Sequence, residues 1–252
     1  NAMAYNPESG LLDYFGGEQD AEAGVIKCVG NPDKRFSEDA LRILRALRFA
    51  STYGFSIDPD TAESIHKNVA KLDSIAKERI NTELCKLLCG KGVLKVLLDY
   101  SDVFGIIIPE LKPCIGFDQN NKFHQYPIYD HIAHAVANCP TNDIITKVAL
   151  LLHDIGKPLC YTEDANGGHF YGHAVFSHEL SVQALERLRF DTKSKKDIQA
   201  LVVNHDAVLE PTPKVARRWL NKLGTLQVER LLDVKCADTM AHTEGTQEER
   251  LK

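Results

Sequence analysis

The sequence predicts a mainly α protein, two helical domains behind a short β segment at the N-terminus. Before residue 30, short apolar runs are split by Gly and Asn-Pro, the pattern of strands. From Ser37 onward the apolar residues recur with a helical period. A stretch punctuated by Pro109, Pro113, Gly116 and Pro127 interrupts that period and separates two helical halves. A chain of 252 residues is long enough to bury a core in each half.

Taken in order, the runs at 2–5, 11–15 and 25–29 are expected as strands. Helices are expected at 37–53, 60–71, 77–90, 91–100 and 128–138. Asp58-Pro59-Asp60 reads as a helix entry, with Asp as cap and Pro in the first position. Residues 109–126 are expected as a linker. Helices then follow near 143–155, 173–189, 193–204, 213–223 and 225–241, and Ala165-Asn166-Gly167-Gly168 forms a turn between two of them. The expected domains are 1–30, 31–118 and 119–252.

A net charge of -5 gives no global pull toward nucleic acid, so RNA binding has to rest on local basic faces. Arg42, Arg45 and Arg48 form one such face, and Arg217 and Arg218 with Lys222 another. The cysteines number seven, an odd count without a Cys-x-x-Cys pair, which favours reduced thiols in a cytoplasmic protein over disulfides or zinc. No apolar run reaches the roughly 18 residues of a membrane helix, and there is no signal peptide, repeat or low-complexity tract.

The string from Arg35 to Ala50, Arg-Phe-Ser-Glu-Asp-Ala-Leu-Arg-Ile-Leu-Arg-Ala-Leu-Arg-Phe-Ala, is the most informative in the first half. Arg42, Arg45 and Arg48 recur every third residue, and Leu41, Leu44, Leu47 and Phe49 occupy the other face. Regularly spaced cations repel on an isolated helix, so the row suggests an anionic partner suited to guanidinium forks. Glu38 and Asp39 follow Ser37 in the first turn, and Asp39 faces Arg42 at i,i+3. On the residues alone two readings stand. One is an ordinary helix capped by Ser37 with a weak Asp39–Arg42 surface pair; the other is a site for a base edge, to which an Asp/Arg pair offers acceptors and paired donors.

The same string resembles the neck helix of bacterial tRNA nucleotidyltransferases (CCA-adding enzymes) and the related poly(A) polymerases, whose Glu-Asp-x-x-Arg selects the nucleotide. The resemblance implies that Glu38, Asp39 and Arg42 bind the incoming CTP or ATP, and that Arg45, Arg48 and Arg79 contact tRNA. Upstream, residues 1–7, 12–20 and 28–32 look like the end of that family's catalytic head. Downstream, Lys77-Glu78-Arg79-Ile80, Glu83-Leu84 and Lys86-Leu87-Leu88 resemble its next helical motif. Nucleotidyl transfer needs two carboxylates close together for its metals. The sequence has no such pair after a Gly-rich turn, and Asp58-Pro59-Asp60 is rejected as one. Opening on Asn1, the chain is expected to be a processed or engineered piece, with Asn1-Ala2 a possible cloning scar.

In the second half, Leu151-Leu152-His153-Asp154-Ile155-Gly156-Lys157-Pro158 closes an apolar helix, with Gly156 and Pro158 as stop signals. A charged His-Asp step there is costly to bury unless something coordinates it. With His131 upstream and Asp238 downstream, the order His, His-Asp, Asp resembles the HD superfamily of metal-dependent phosphohydrolases. That resemblance implies a divalent metal on His131, His153, Asp154 and Asp238, its identity open among Mg, Mn, Fe, Ni and Zn. It implies that Lys157, His173 and His205 serve catalysis, as phosphate contacts or ligands of a second metal. The expected chemistry is hydrolysis of a phosphoester, with 2′,3′-cyclic phosphates and 2′-nucleotides as the substrates of relatives. His66, His124, His134, His169, His178 and His242 read as ordinary histidines.

Together these resemblances imply a helical neck/body domain followed by an all-α HD domain, with a short β remnant of the head. The alternatives at this point are a free-standing HD phosphohydrolase, or an RNA-binding module whose HD site is a structural metal clip.

Overall fold

The computed structural model describes residues 3–120, 125–165 and 167–243, so Asn1, Ala2, His124 and Asn166 lie outside the described part. The chain divides into two compact units, Asn1–Ile107 and Ile108–Lys252.

In the first unit β1 (Met3–Asn6) and β2 (Gly10–Asp13) form an antiparallel hairpin with Met3 opposite Asp13. A six-residue helix, α1 (Gly17–Glu22), follows, too short to show a period in the sequence. The third expected strand, β3 (Val25–Ile26), pairs in parallel with β4 (Ser56–Ile57), which the sequence reading left unassigned.

The helix expected at 37–53 is two helices. α2 (Pro32–Glu38) starts at Asn31, whose side chain accepts the Lys34 amide, with Pro32 in the first position. α3 (Leu41–Tyr53) follows a break at Asp39, which is extended (φ -153, ψ 103). Ser37 is therefore not the cap; it lies inside α2, where its hydroxyl donates to the Asp33 carbonyl. The physical reason is Asp39 itself, whose carboxylate accepts the Leu41 amide at 3.1 Å and offers the backbone an alternative to continuing the helix.

Leu41, Ile43, Leu44 and Leu47 of α3 are buried, and the helix packs on α5 (Lys77–Leu88). Ser51 ties the two by donating to the Leu87 carbonyl at 2.7 Å. Asp58 caps α4 (Pro59–Asn68) by accepting the Thr61 amide, as its sequence predicts. A 3-10 turn, Val69–Ser74, prolongs it. α6 (Val93–Asp99) is followed after Tyr100 by α7 (Ser101–Ile107), a helix the sequence reading did not assign.

In the second unit the segment expected as a linker begins with a 3-10 turn, Pro109–Cys114, whose Leu111 and Cys114 are fully buried. α8 (Ile128–Asn138) and α9 (Ile144–Leu152) come next, the second capped by Asp143. β5 (Thr162–Asp164) and β6 (Gly167–His169) form an antiparallel hairpin, so Gly167 and Gly168 of the expected turn are strand residues and Asn166 lies outside the described part. The remaining helices are α10 (His173–Arg187), α11 (Thr192–Asn204), α12 (Pro213–Leu223) and α13 (Thr225–Met240). α9 is mostly apolar and buried among α8, α11 and α13, and its one charged side chain, Lys147, donates to the Val136 carbonyl at 2.9 Å. No helix among the described residues is long and apolar enough to cross a membrane.

Candidate functional site: a histidine–aspartate cluster and a basic cavity

Because α9 is buried on every side, its C-terminal end delivers His153 and Asp154 into the core of the second unit, 0% and 1% exposed. Around them gather His131 from α8, Asp238 from α13, His173 at the first position of α10, and His205 just past α11. His131 Nε2 lies 2.9 Å from Asp238 Oδ1 and 3.5 Å from Asp154 Oδ2. His153 Nε2 is 3.3 Å from Asp154 Oδ2 and 3.5 Å from Asp238 Oδ1. On the other side of the same carboxylate, Asp154 Oδ1 is 3.3 Å from His173 Nε2 and 3.6 Å from His205 Nε2. Asp154 thus faces two histidine pairs, one with each oxygen.

The rings are held by their other nitrogens. His153 Nδ1 is 2.6 Å from the Leu150 carbonyl, His173 Nδ1 2.9 Å from Phe170, and His205 Nδ1 2.7 Å from Val202. A carbonyl can only accept, so each Nδ1 donates and each neutral ring keeps its Nε2 lone pair for the cluster. Such lone pairs, 3.0 Å apart between His173 and His205, beside two carboxylates, call for cations or protons among them. His153 Nε2 is buried without a hydrogen-bond partner.

Electrostatics tell the same story. Full burial disfavours the charged form of His153, yet Asp154 and Asp238 outweigh it and raise its pKa to about 10. Burial likewise opposes ionisation of Asp154, and the charges of His153 and Lys157 overcome it, holding the carboxyl well below the usual range. Asp238 is held down in the same way, burial being overcome by hydrogen bonds from His131 and His153. This donor set fits a divalent cation: nitrogen and carboxylate atoms of His131, His153 and Asp154 lie within 4.8 Å of one another, as do those of Asp154, His173 and His205.

The six expected histidine and aspartate residues of the site therefore come together. Lys157 does too, but it points inward: its ammonium is 2.7 Å from Asp154 Oδ2 and donates to Gln119 Oε1 at 2.8 Å. Two members escaped the sequence reading. His242, taken as ordinary, is buried, edge-on to His131 at 5.0 Å, with Nδ1 2.8 Å from the Asp238 carbonyl. Its position four residues after Asp238 was the available signal. Gln119, 1% exposed, lay in the expected linker and carried no signal. His134 stacks on Tyr126, His169 pairs with Asp164, His66 with Asp102, and His178 is half-buried on α10, all in keeping with ordinary roles.

The first unit holds a cavity of about 730 Å³ lined by Lys27, Arg35, Asp39, Arg42, Arg45 and Arg79, with Phe49 in its wall. Phe49 thus serves the cavity and not the packed face of α3. The expected Asp39–Arg42 pair does not form. Arg42 instead donates to Glu38 at 2.7 Å and to the Arg35 carbonyl at 2.8 Å, while Asp39 accepts Arg79 at 2.9 Å. The break between α2 and α3 is the cause, since extended backbone at Asp39 takes its side chain off the helical i,i+3 track. Arg42's hydrogen bond holds the Glu38 carboxyl below its ordinary range. Partial burial acts to raise Asp39, but the Arg79 hydrogen bond and the Leu41 amide bring it below its ordinary value.

The arginine row is split. Arg45 lines the cavity with Arg42, whereas Arg48 turns away, donating to Glu83 at 2.6 Å with its guanidinium 3.9 Å over the Phe49 ring. Arg79 reaches the cavity from α5.

Comparison with known proteins gives two matches along the chain. Residues 54–115 match the family described as probable RNA and SrmB-binding site of polymerase A, and residues 127–241 match the HD domain. The A-adding tRNA nucleotidyltransferase of Deinococcus radiodurans is 31% identical over 256 aligned positions, covering 96% of this chain and 58% of that protein. The CCA-adding enzyme of Bacillus subtilis is 46% identical over 97 residues, 38% of this chain and 24% of that protein. Among solved structures, the Bacillus stearothermophilus CCA-adding enzyme with CTP superposes over the whole chain and 55% of its own length, with TM-score 0.68 at 23% identity. The Thermotoga maritima CCA-adding enzyme complexed with tRNA does so over 57% of its length, with TM-score 0.55 at 20% identity. At such identities the superpositions show the fold, and the chain spans between about a quarter and just over half of the length of these proteins.

Proposed function

The chain belongs to the bacterial tRNA nucleotidyltransferase and poly(A) polymerase family, carrying its RNA-binding and HD domains, and on that premise we propose that it selects the nucleotide and binds tRNA for tail addition while its HD site hydrolyses phosphoesters at RNA ends. The observation that carries the hydrolytic half is the convergence of Nε2 atoms, each ring anchored through Nδ1, on Asp154 and Asp238.

His131, His153, Asp154 and Asp238 would hold a divalent cation, and His173 and His205 with the outer oxygen of Asp154 a phosphate or a second cation. When bound there, the cation supplies Lewis acidity and a nucleophile at neutral pH. The protein's own contribution is orientation and dryness. Backbone carbonyls fix each imidazole, burial excludes bulk water, and Lys157 balances the Asp154 charge from a position held by Gln119. His173 is the most exposed of the histidines around Asp154 and so stands toward the entering substrate.

In the first unit, Glu38, Asp39 and Arg42 read the base edge of CTP or ATP, and Arg45 and Arg79 contact phosphate or tRNA. The cavity is large enough for a nucleotide, which suits this reading, and relatives of this fold are known in complex with CTP, with ATP and with tRNA. Arg48, engaged by Glu83, stands behind this surface. The reading places the protein in the cytoplasm with its tRNA substrate, where free thiols stay reduced.

The test uses the chain with 2′,3′-cyclic AMP and a series of divalent metals. Chelator treatment and Asp154→Ala should each abolish hydrolysis, and calorimetry should show metal binding lost in the variant. Hydrolysis that survives both treatments would refute the HD assignment. Metal binding with no hydrolysis by any metal would reduce the site to a structural clip.

A further inference from the structure

α12 is built unlike the other helices of the second unit. Its residues, Pro-Lys-Val-Ala-Arg-Arg-Trp-Leu-Asn-Lys-Leu, include four cations and no acid, in a chain whose net charge is -5. Only Trp219 is buried, so the helix lies on the surface by a narrow apolar edge. Lys214, Arg217 and Arg218 are exposed and make no ion pair or hydrogen bond among the described residues. That arrangement costs stability through repulsion between neighbours and offsets it with no intramolecular partner.

The position of the helix gives the cations a purpose. Lys214, Arg218 and Lys222 sit at i, i+4 and i+8, one row with about 5.4 Å between turns. Lys222 is the inner end of that row: it lies 4.6 Å over the Trp219 ring and donates to Asn204 Oδ1 at 2.9 Å. Asn204 directly precedes His205, whose Nε2 is 3.6 Å from Asp154 Oδ1. The inner end of the row is thus fastened to the residue that precedes His205 of the histidine–aspartate cluster, and Lys214 and Arg218, with Arg217 alongside, continue it over exposed surface. Guanidinium and ammonium groups at this spacing suit consecutive phosphates of a polynucleotide strand, and a mononucleotide in the cluster would be too short to reach the outer turns.

We infer that α12 binds the phosphodiester backbone of single-stranded RNA and guides its 3′ end into the HD site, whose substrate is therefore the end of a polyribonucleotide. This rests on the phosphoesterase reading of that site.

The experiment compares the full chain with Lys214→Ala/Arg217→Ala/Arg218→Ala, exposed positions where alanine is a good helix former. Two substrates are used, a short single-stranded RNA ending in a 2′,3′-cyclic phosphate and 2′,3′-cyclic AMP. Affinity for the same RNA bearing a plain 3′-phosphate is read separately by fluorescence anisotropy over a salt series. The triple variant should raise KM for the RNA on the order of tenfold and leave cyclic AMP turnover unchanged within about twofold. The slope of log affinity against log salt should fall by about 2, three lost cations at roughly 0.7 each. If affinity, slope and RNA KM all match those of the unaltered chain, the α12 proposal is overturned and the HD reading stands on its cyclic AMP turnover. If the unaltered chain hydrolyses neither substrate with any metal, the HD reading fails and takes the guidance role with it.

Discussion

Gly156→Ala is the sharpest test of how the fold builds the histidine–aspartate cluster. A methyl group at Gly156 would lie 2.3 Å from the Ser177 amide nitrogen, 2.7 Å from the His173 carbonyl oxygen and 2.8 Å from the Phe176 carbonyl carbon. All three are backbone atoms of α10, so no rotamer change relieves the overlap. The shortfall from ordinary contact at 3.4 Å is about 1 Å, and α10 has to move by a comparable distance. Overpacking of this kind costs about 1–3 kcal/mol. Strain on the Gly156 amide's 2.9 Å bond to Ser177 Oγ adds about 1 kcal/mol. For a chain of this size each kcal/mol lowers Tm by roughly 2–4 °C, so a fall of between about 4 and 16 °C is expected. His173 opens α10 and stands 3.3 Å from Asp154, so a 1 Å displacement should cost up to about 10² in hydrolysis of 2′,3′-cyclic AMP. Ser177→Ala is the control: it leaves the buried Gly156 amide unpaired without displacing the helix, and should lower Tm by about 2–12 °C with activity kept. An alanine variant with unchanged Tm and unchanged turnover would refute the close-approach argument.

Arg48→Ala should destabilise the first unit by about 1.5–3 kcal/mol, because it leaves the nearly buried Glu83 carboxylate unpaired, and should leave RNA affinity intact. Unchanged denaturant stability together with weakened RNA binding would return Arg48 to the RNA surface. Arg42→Ala gives up the part-exposed pair with Glu38 and the hydrogen bond to the Arg35 carbonyl, so Tm should fall modestly while CTP binding by calorimetry weakens on the order of tenfold. Equal CTP affinity in the two proteins would make the Glu38–Arg42 pair a surface ornament. Asp33 accepts from Lys67, Ser64 and Asn68, which hold its carboxyl at about 2, below the ordinary 3.8. A depressed carboxylate adds stability that is complete above about pH 4 and disappears as pH falls through about 2. The difference in urea midpoint between this protein and Asp33→Asn should therefore be full near pH 6 and vanish toward pH 2; a difference that is the same at both ends would contradict the assignment.

What the sequence determined by itself was whatever depends on neighbours along the chain. Helical period located α8 and α12 to the residue, Asp58 with Pro59 announced the start of α4, and the order His131, His153-Asp154, Asp238 marked four residues that converge in the second unit. These signals are local because backbone hydrogen bonding, capping and face periodicity act within a few residues. The tertiary structure decided which long side chains meet. Asp39 went to Arg79, forty residues away, and Arg48 to Glu83, because α5 and not the next turn of α3 supplies the closest opposite charge. Gln119 joined Lys157 from a segment with no period at all, and Gly156, legible only as a helix stop, proved to be the point where α10 presses on the end of α9. A charged side chain reaches several ångströms in any direction open to it, so its partner is set by how whole helices pack, and that packing is a property of the entire chain.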